Sequence, residues 1–146
     1  MQKRMLRVLQ VSALLLAVST ALSAQNRWER EVRAELSNAT SVLGLLSMEP
    51  SHEPITVNLR NNTYEEIKYN LDAGQQYVFV GVCDEDCVNM HLQLYDGHHN
   101  LVDSDYEQGG YPVVSTSVGH SGNFYLRVIM HGCSDEPCWG GVGAYR

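Results

Sequence analysis

Apolar residues recur along this chain with two different periods, and the change between them divides it. Over residues 26–47, Trp28, Val32, Leu36, Ala39, Leu43 and Leu46 return at steps of three and four, which is the apolar face of a helix. Glu29, Arg30, Arg33 and Glu35 lie mostly off that face, and Asn38 and Gly44 weaken its second half. Residues 48–54 read as a linker, because Pro50 and Pro54 block regular structure. Beyond it the period falls to two. Ile55, Val57 and Leu59 alternate with polar neighbours, and Ile67, Tyr69 and Leu71 alternate with Glu66, Lys68 and Asn70. The spacing of Tyr64, Ile67 and Leu71 also fits a helix there. Residues 77–82 are a strong β run, and Met90, Leu92 and Leu94 alternate with His91, Gln93 and Tyr95. Leu101 and Val102 start a short strand that Asp103-Ser104-Asp105 ends. Residues 113–118, 124–130 and 141–145 complete the set. Turn residues separate these runs every eight to twelve positions, at Asn61-Asn62, 72–75, 96–100, 108–110 and 119–122. The pattern predicts a mainly β protein: an antiparallel, jelly-roll-like β-sandwich of seven or eight short strands with an N-terminal helix, not a βαβ fold.

Ahead of the helix the chain looks like a leader. Lys3, Arg4 and Arg7 form a basic start, and residues 8–22 are apolar except for Gln10, Ser12, Ser19 and Thr20. A signal peptide with cleavage after Ala24, or else after Ala21, fits this order; the run is short for an uncleaved anchor. The expected organisation is a signal peptide over 1–24, a helix and linker over 25–53, and a β-sandwich over 54–146. About 122 residues would remain, enough for one core. No second long apolar segment follows, so no membrane association is expected once the leader is removed. Losing the three basic residues takes the net charge from −7 to −10 and leaves Lys68 as the one lysine. A surface this acidic repels phosphate backbones and anionic bilayers, which disfavours nucleic acid as a partner. The expected location is secreted or periplasmic.

Four cysteines, Cys83, Cys87, Cys133 and Cys138, in an exported chain point to disulfides. Three pairings can be drawn. Joining Cys83 to Cys87 and Cys133 to Cys138 would close two short loops that fix loop shape rather than hold the fold. A four-thiolate zinc site is the rival reading. Its spacing is marginal, and an oxidising compartment disfavours free thiolates, so no metal is expected.

From about residue 71 to 145 the chain resembles the bacterial pre-peptidase C-terminal (PPC) β-sandwich domain. The pieces that carry the resemblance are Leu71-Asp72-Ala73-Gly74-Gln75-Gln76-Tyr77-Val78-Phe79, His91-Leu92-Gln93-Leu94-Tyr95-Asp96, Asn100-Leu101-Val102-Asp103-Ser104-Asp105, Pro112-Val113-Val114 and Ser121-Gly122-Asn123-Phe124-Tyr125-Leu126-Arg127-Val128, in that order. The chain is especially similar to small exported bacterial proteins that carry this sandwich with two cysteine pairs. The resemblance implies an accessory sandwich that is not catalytic. Where such domains often have Asp-x-Asp-Leu, this chain has Asn89-Met90-His91-Leu92, so the calcium site of some relatives does not carry over.

Candidate chemistry is sparse. Asp84, Glu85 and Asp86 form an acidic loop between two cysteines, and Asp96, Asp103 and Asp105 could approach it to offer oxygens to calcium; the alternative is a solvated acidic rim. His91 with His98 or His99 could meet a transition metal across a hairpin, although turn histidines are usually just exposed. No Gly-x-Ser-x-Gly or His-Glu-x-x-His motif is present, so no catalytic residue and no cofactor are assigned. Tyr95, Tyr106, Tyr111, Trp139 and Tyr145 fall in or beside loops, where rings on one sandwich face would suit stacking on sugars. The reading that results is an exported, non-enzymatic accessory or binding module with a protein or carbohydrate ligand. Two alternatives stand beside it: a small secreted hydrolase with carboxylates on the sandwich, and an interaction protein docked through the 26–47 helix.

Overall fold

The computed structural model describes residues 27, 28 and 30–146. The proposed leader lies outside them. Two compact units divide the chain, residues 1–31 and 32–146. In the first, residues 27, 28, 30 and 31 are helical and Arg27 Nε donates to Glu31 Oε1 at 2.8 Å.

The second unit is a two-layered β-sandwich with a helix, α1, over residues 32–42. Its strands are β1 (Ile55–Leu59), β2 (Thr63–Leu71), β3 (Gln76–Cys83), β4 (Met90–Tyr95), β5 (Leu101–Asp105), β6 (Val113–Ser117), β7 (Gly122–Met130) and β8 (Cys138–Tyr145). All pair antiparallel, in the orders β1-β8-β3-β6 and β2-β7-β4-β5. Alternation explains the layers. Ile67, Tyr69, Leu71, Leu92, Leu94, Leu126, Val128 and Met130 from one sheet meet Val57, Tyr77, Phe79, Val114, Val142 and Ala144 from the other in a single core.

β3 is apolar on both sides because both sides are covered. Tyr77 and Phe79 face the core, whereas Val78, Val80 and Val82 face Val32, Leu36 and Ala39 of α1, with Tyr145 beside them. The helix stops at residue 42, five positions short of the periodicity's reach. Gly44 sits at φ 72°, Leu45 N–H donates to Thr40 O at 2.9 Å and Gly44 N–H to Ser41 O at 3.3 Å. This is a Schellman ending, which glycine favours because the left-handed conformation carries no Cβ penalty. Leu46 therefore leaves the apolar face and is exposed.

One sequence alternative is settled and one expectation changes. The segment that also fitted a helix, residues 64–71, is strand β2, paired along its whole length with β7. Asp103-Ser104-Asp105 does not end β5 but belongs to it, since Leu92 pairs with Asp105 and Leu94 with Asp103.

One core residue is imperfectly matched. Tyr69 is 3% exposed, tilts against Phe79 with ring centroids 4.9 Å apart, and its hydroxyl has no hydrogen-bond partner among the described residues. Burial pushes its pKa above the ordinary tyrosine value. Tyr69→Phe removes that stranded group while keeping the ring, so it should stabilise the fold by about 1 kcal/mol. Urea unfolding reads this as a higher midpoint at unchanged slope; a lower midpoint would show that the hydroxyl is satisfied.

Candidate functional site

The two sheets differ on their outer sides. The β1-β8-β3-β6 sheet carries α1. Among the described residues no element lies on the outer side of β2-β7-β4-β5, and register places its side chains on a grid. Tyr64, Ile129 and His91 form one row, Glu66, Arg127, Gln93 and Ser104 the next, and Lys68, Tyr125, Tyr95 and Leu101 the third. Cross-strand neighbours on one face lie within contact distance.

Arg127 occupies the centre. Its guanidinium carbon sits 4.4 Å from the Tyr64 ring centroid and 4.9 Å from that of Tyr95, and Nη2 donates to Glu66 Oε2 at 3.1 Å. Burial opposes its charge, but the Glu66 hydrogen bond and the neighbouring Tyr95 and Tyr64 more than offset this, so its pKa lies above the ordinary arginine value. Gln93 links the tyrosines to either side: Tyr95 hydroxyl donates to Gln93 Oε1 at 3.0 Å, and Gln93 Nε2 donates to the Tyr106 hydroxyl.

Two histidine arrangements flank the centre. Asp96 builds the first, its Oδ1 accepting from His98 N–H at 2.8 Å and Asn100 N–H at 2.9 Å. The Asn100 side chain, then its backbone, hold the Asp96 carboxyl below the ordinary range. The turn this creates lets His99 adopt φ 59° and lie on Tyr125, centroids 4.5 Å apart at 20°. In the second, His91 stacks on His131 at 5.1 Å, meets Tyr106 edge-on at 5.3 Å, and accepts from Asn89 Nδ2 at 2.8 Å. Burial, and then His131, hold its pKa below the ordinary histidine value, with Asp105 pulling the other way. The hairpin pairing of His91 with His98 or His99 is not formed, because each stacking histidine finds a different partner.

Of the aromatics singled out in the sequence, Tyr95 and Tyr106 reach this face and three do not. Tyr111 hydroxyl donates to Glu35 Oε1 at 2.6 Å and accepts from Asn38 Nδ2 at 3.0 Å, beside α1. Tyr145 is buried under the helix, and Trp139 pairs with Asn58 on the other sheet. Sequence alone does not mark Tyr64, Tyr125 and Arg127 as site residues. Their signal is the outward half of each alternation, and it becomes visible only once β2, β7 and β4 are known to be neighbours.

The acidic loop does not gather its carboxylates. Asp84 Oδ1 accepts from Cys87 N–H at 3.1 Å and Oδ2 from Trp139 N–H at 2.9 Å, Asp86 Oδ1 lies 3.3 Å from Ser134 Oγ, and Glu85 is exposed. Asp103 Oδ2 accepts from Ser115 N–H at 2.7 Å and Asp105 Oδ2 from Val113 N–H at 2.8 Å. Among the described residues, no group of three or more His, Cys, Asp or Glu is arranged to hold a metal ion.

The sequence matches no family model and no curated protein. The fold does match solved structures. The pre-peptidase C-terminal domain of a Bacillus anthracis collagenase aligns with TM-score 0.50 and 12% identity over 62% of this chain and 86% of that one. The chain folds as a PPC-like β-sandwich. Weaker likenesses include the Aeromonas hydrophila periplasmic inhibitor of g-type lysozyme, with TM-score 0.45 and 8% identity over 64% of this chain and 84% of that one. A carbohydrate-binding module of Cellvibrio mixtus lichenase 5A, in complex with cellotriose, aligns with TM-score 0.38 and 7% identity over 67% and 89%.

In this PPC-like sandwich the disulfides are Cys83–Cys87 and Cys133–Cys138, each with Cα atoms 5.9 Å apart. They lie at the ends of β3 and β7 and lead into β4 and β8. No helix among the described residues is long and apolar enough to cross a membrane.

Proposed function

We propose that this chain is an exported, non-enzymatic binding module, and that a carbohydrate chain lies across the outer face of β2-β7-β4-β5. The observation that carries this reading is the centre of the face, where Tyr64 and Tyr95, from the rows on either side, flank the Arg127 guanidinium on the solvent side of a sheet that no other element among the described residues covers. Tyrosine rings suit the apolar C–H faces of a sugar, and Gln93, Arg127, Glu66 and Lys68 offer donors and acceptors to its hydroxyls. Tyr64 is 57% exposed and Tyr106 49%, so both are within reach of a ligand. The aspartates support a binding rather than a catalytic role. Asp84, Asp96, Asp103 and Asp105 each accept backbone amide hydrogen bonds, which occupies the oxygens that an acid–base pair would need free. Two disulfides and the basic-then-apolar leader support export.

Screening the exported protein against immobilised oligosaccharides should identify a ligand, with chemical-shift changes clustered on residues 64, 93, 95, 106 and 127. Tyr64→Ala should weaken the interaction about tenfold, equivalent to about 1.4 kcal/mol. Tyr111→Phe, beside α1, should leave it unchanged. A ligand whose shifts map to the helix side would move the site; no ligand in a broad panel would overturn the carbohydrate reading.

A further inference from the structure

Cys87 and Cys133 belong to different disulfides, yet they face each other across an antiparallel bridge. Ser134 N–H donates to Asp86 O at 2.8 Å, and Val88 N–H donates to Gly132 O at 2.7 Å, one residue to either side. This pattern makes Cys87 and Cys133 a non-hydrogen-bonded pair, whose Cα atoms lie about 4.5 Å apart and whose side chains leave the ladder on the same side. Bridged cysteines span about 4.4–6.8 Å between Cα atoms. The backbone is therefore already set for a third disulfide. All four cysteines contribute to the same core cluster: Cys138 is fully buried in it, and Cys83, Cys87 and Cys133 pack against it half-buried.

We propose that the four cysteines form a single thiol–disulfide exchange site, in which Cys87 and Cys133 make a cross-strand bridge after one reduction. A dithiol reductant supplies two electrons, breaks Cys83–Cys87 and is itself oxidised to its disulfide. The Cys87 thiolate then attacks Cys133 Sγ. The Cys87–Cys133 bond forms as Cys133–Cys138 breaks, and the electron pair leaves on Cys138 Sγ, which takes up a proton. The product holds one disulfide and the two thiols Cys83 and Cys138. The new bridge ties the lead-in of β4 to the end of β7, neighbours in one sheet. It also closes a far longer loop than either original disulfide, so it constrains the unfolded chain more. This inference does not depend on the ligand face.

Two measurements test it. The full chain with Cys83→Ser and Cys138→Ser, made under oxidising export, should lose both remaining thiols from titration, and peptide mapping should link Cys87 to Cys133. A folded double variant with two titratable thiols would overturn the proposal. The second measurement uses the unaltered protein, treated with a single equivalent of dithiothreitol, quenched in acid and alkylated. Alkyl groups on Cys83 and Cys138, with a linked Cys87–Cys133 peptide, are expected. Alkylation confined to Cys83 with Cys87, or to Cys133 with Cys138, would show two independent disulfides and defeat the exchange site whatever the double variant does.

Discussion

Gly141→Val should lower the unfolding free energy by about 3 kcal/mol, the upper part of the range for forcing extra carbon into a filled interior. Gly141 is on β8 and its outer side faces α1. A Cβ built there would stand 2.2 Å from Val32 Cγ1, 2.9 Å from Cγ2 and 3.1 Å from Cβ. Val32 is buried and β-branched, so it cannot swing aside as the end of a long side chain would. The helix must shift instead, and Leu36 and Ala39 lose contact with Val78, Val80 and Val82. Urea unfolding measures the loss. The control is Val32→Ala combined with Gly141→Ala. Since the clash is with Val32, the double variant should be clearly more stable than the sum of the two single changes implies. Strict additivity would mean that glycine matters here for strand conformation and not for the helix above it.

β8 also shows what the sequence could and could not convey. Read along the chain, Cys138-Trp139-Gly140-Gly141-Val142-Gly143-Ala144-Tyr145 carries three glycines, a residue depleted in strands, and only residues 141–145 fit a strand pattern. In the fold it spans Cys138–Tyr145 and lies between β1 and β3. The glycines are there because the strand is crowded on both sides: Gly140 faces Met90, Gly141 faces Val32, and the Tyr145 hydroxyl would stand 2.5 Å from a Cβ on Gly143. The Met90 and Val32 contacts are tertiary, so no local pattern announces them.

The two layers were legible for the opposite reason. Which side of a strand is buried is written in its own alternation, as at Ile67, Tyr69 and Leu71, or at Met90, Leu92 and Leu94. Which strands are neighbours is not. The outward sets Tyr64-Glu66-Lys68, Tyr125-Arg127-Ile129 and His91-Gln93-Tyr95 are each ordinary. They become a platform only because β7 lies between β2 and β4. The histidine pairings failed in the same way, since His91 and His131 meet through strand order rather than through the hairpin that holds His98 and His99.

Replacing Asp103 and Asp105 together by alanine should cost about 2–4 kcal/mol, because each carboxylate makes a charge-assisted hydrogen bond typically worth about 1.5–3 kcal/mol when buried, and these two are only half-buried. Aspartate is a poor strand former, and on sequence the pair marks the end of β5. Its presence inside β5 follows from what lies opposite. β6 pairs with β3 on one side only, so the Val113 and Ser115 amides point from its free edge toward the other sheet. An unpaired strand edge is costly when covered and prone to association when open. Asp105 takes the first amide and Asp103 the second, which laces the two sheets together along that edge. Hydrogen exchange separates this role from general loss of stability. In the double variant, the amides of residues 113 and 115 should lose protection far more than those of β2 and β7, and the protein should associate at lower concentration. Asp103→Asn with Asp105→Asn keeps an acceptor at each site without the charge, and should forfeit less stability than alanine while retaining most of the protection. Unchanged exchange at 113 and 115 in the alanine variant would mean that the sheets are held at this edge by apolar packing alone.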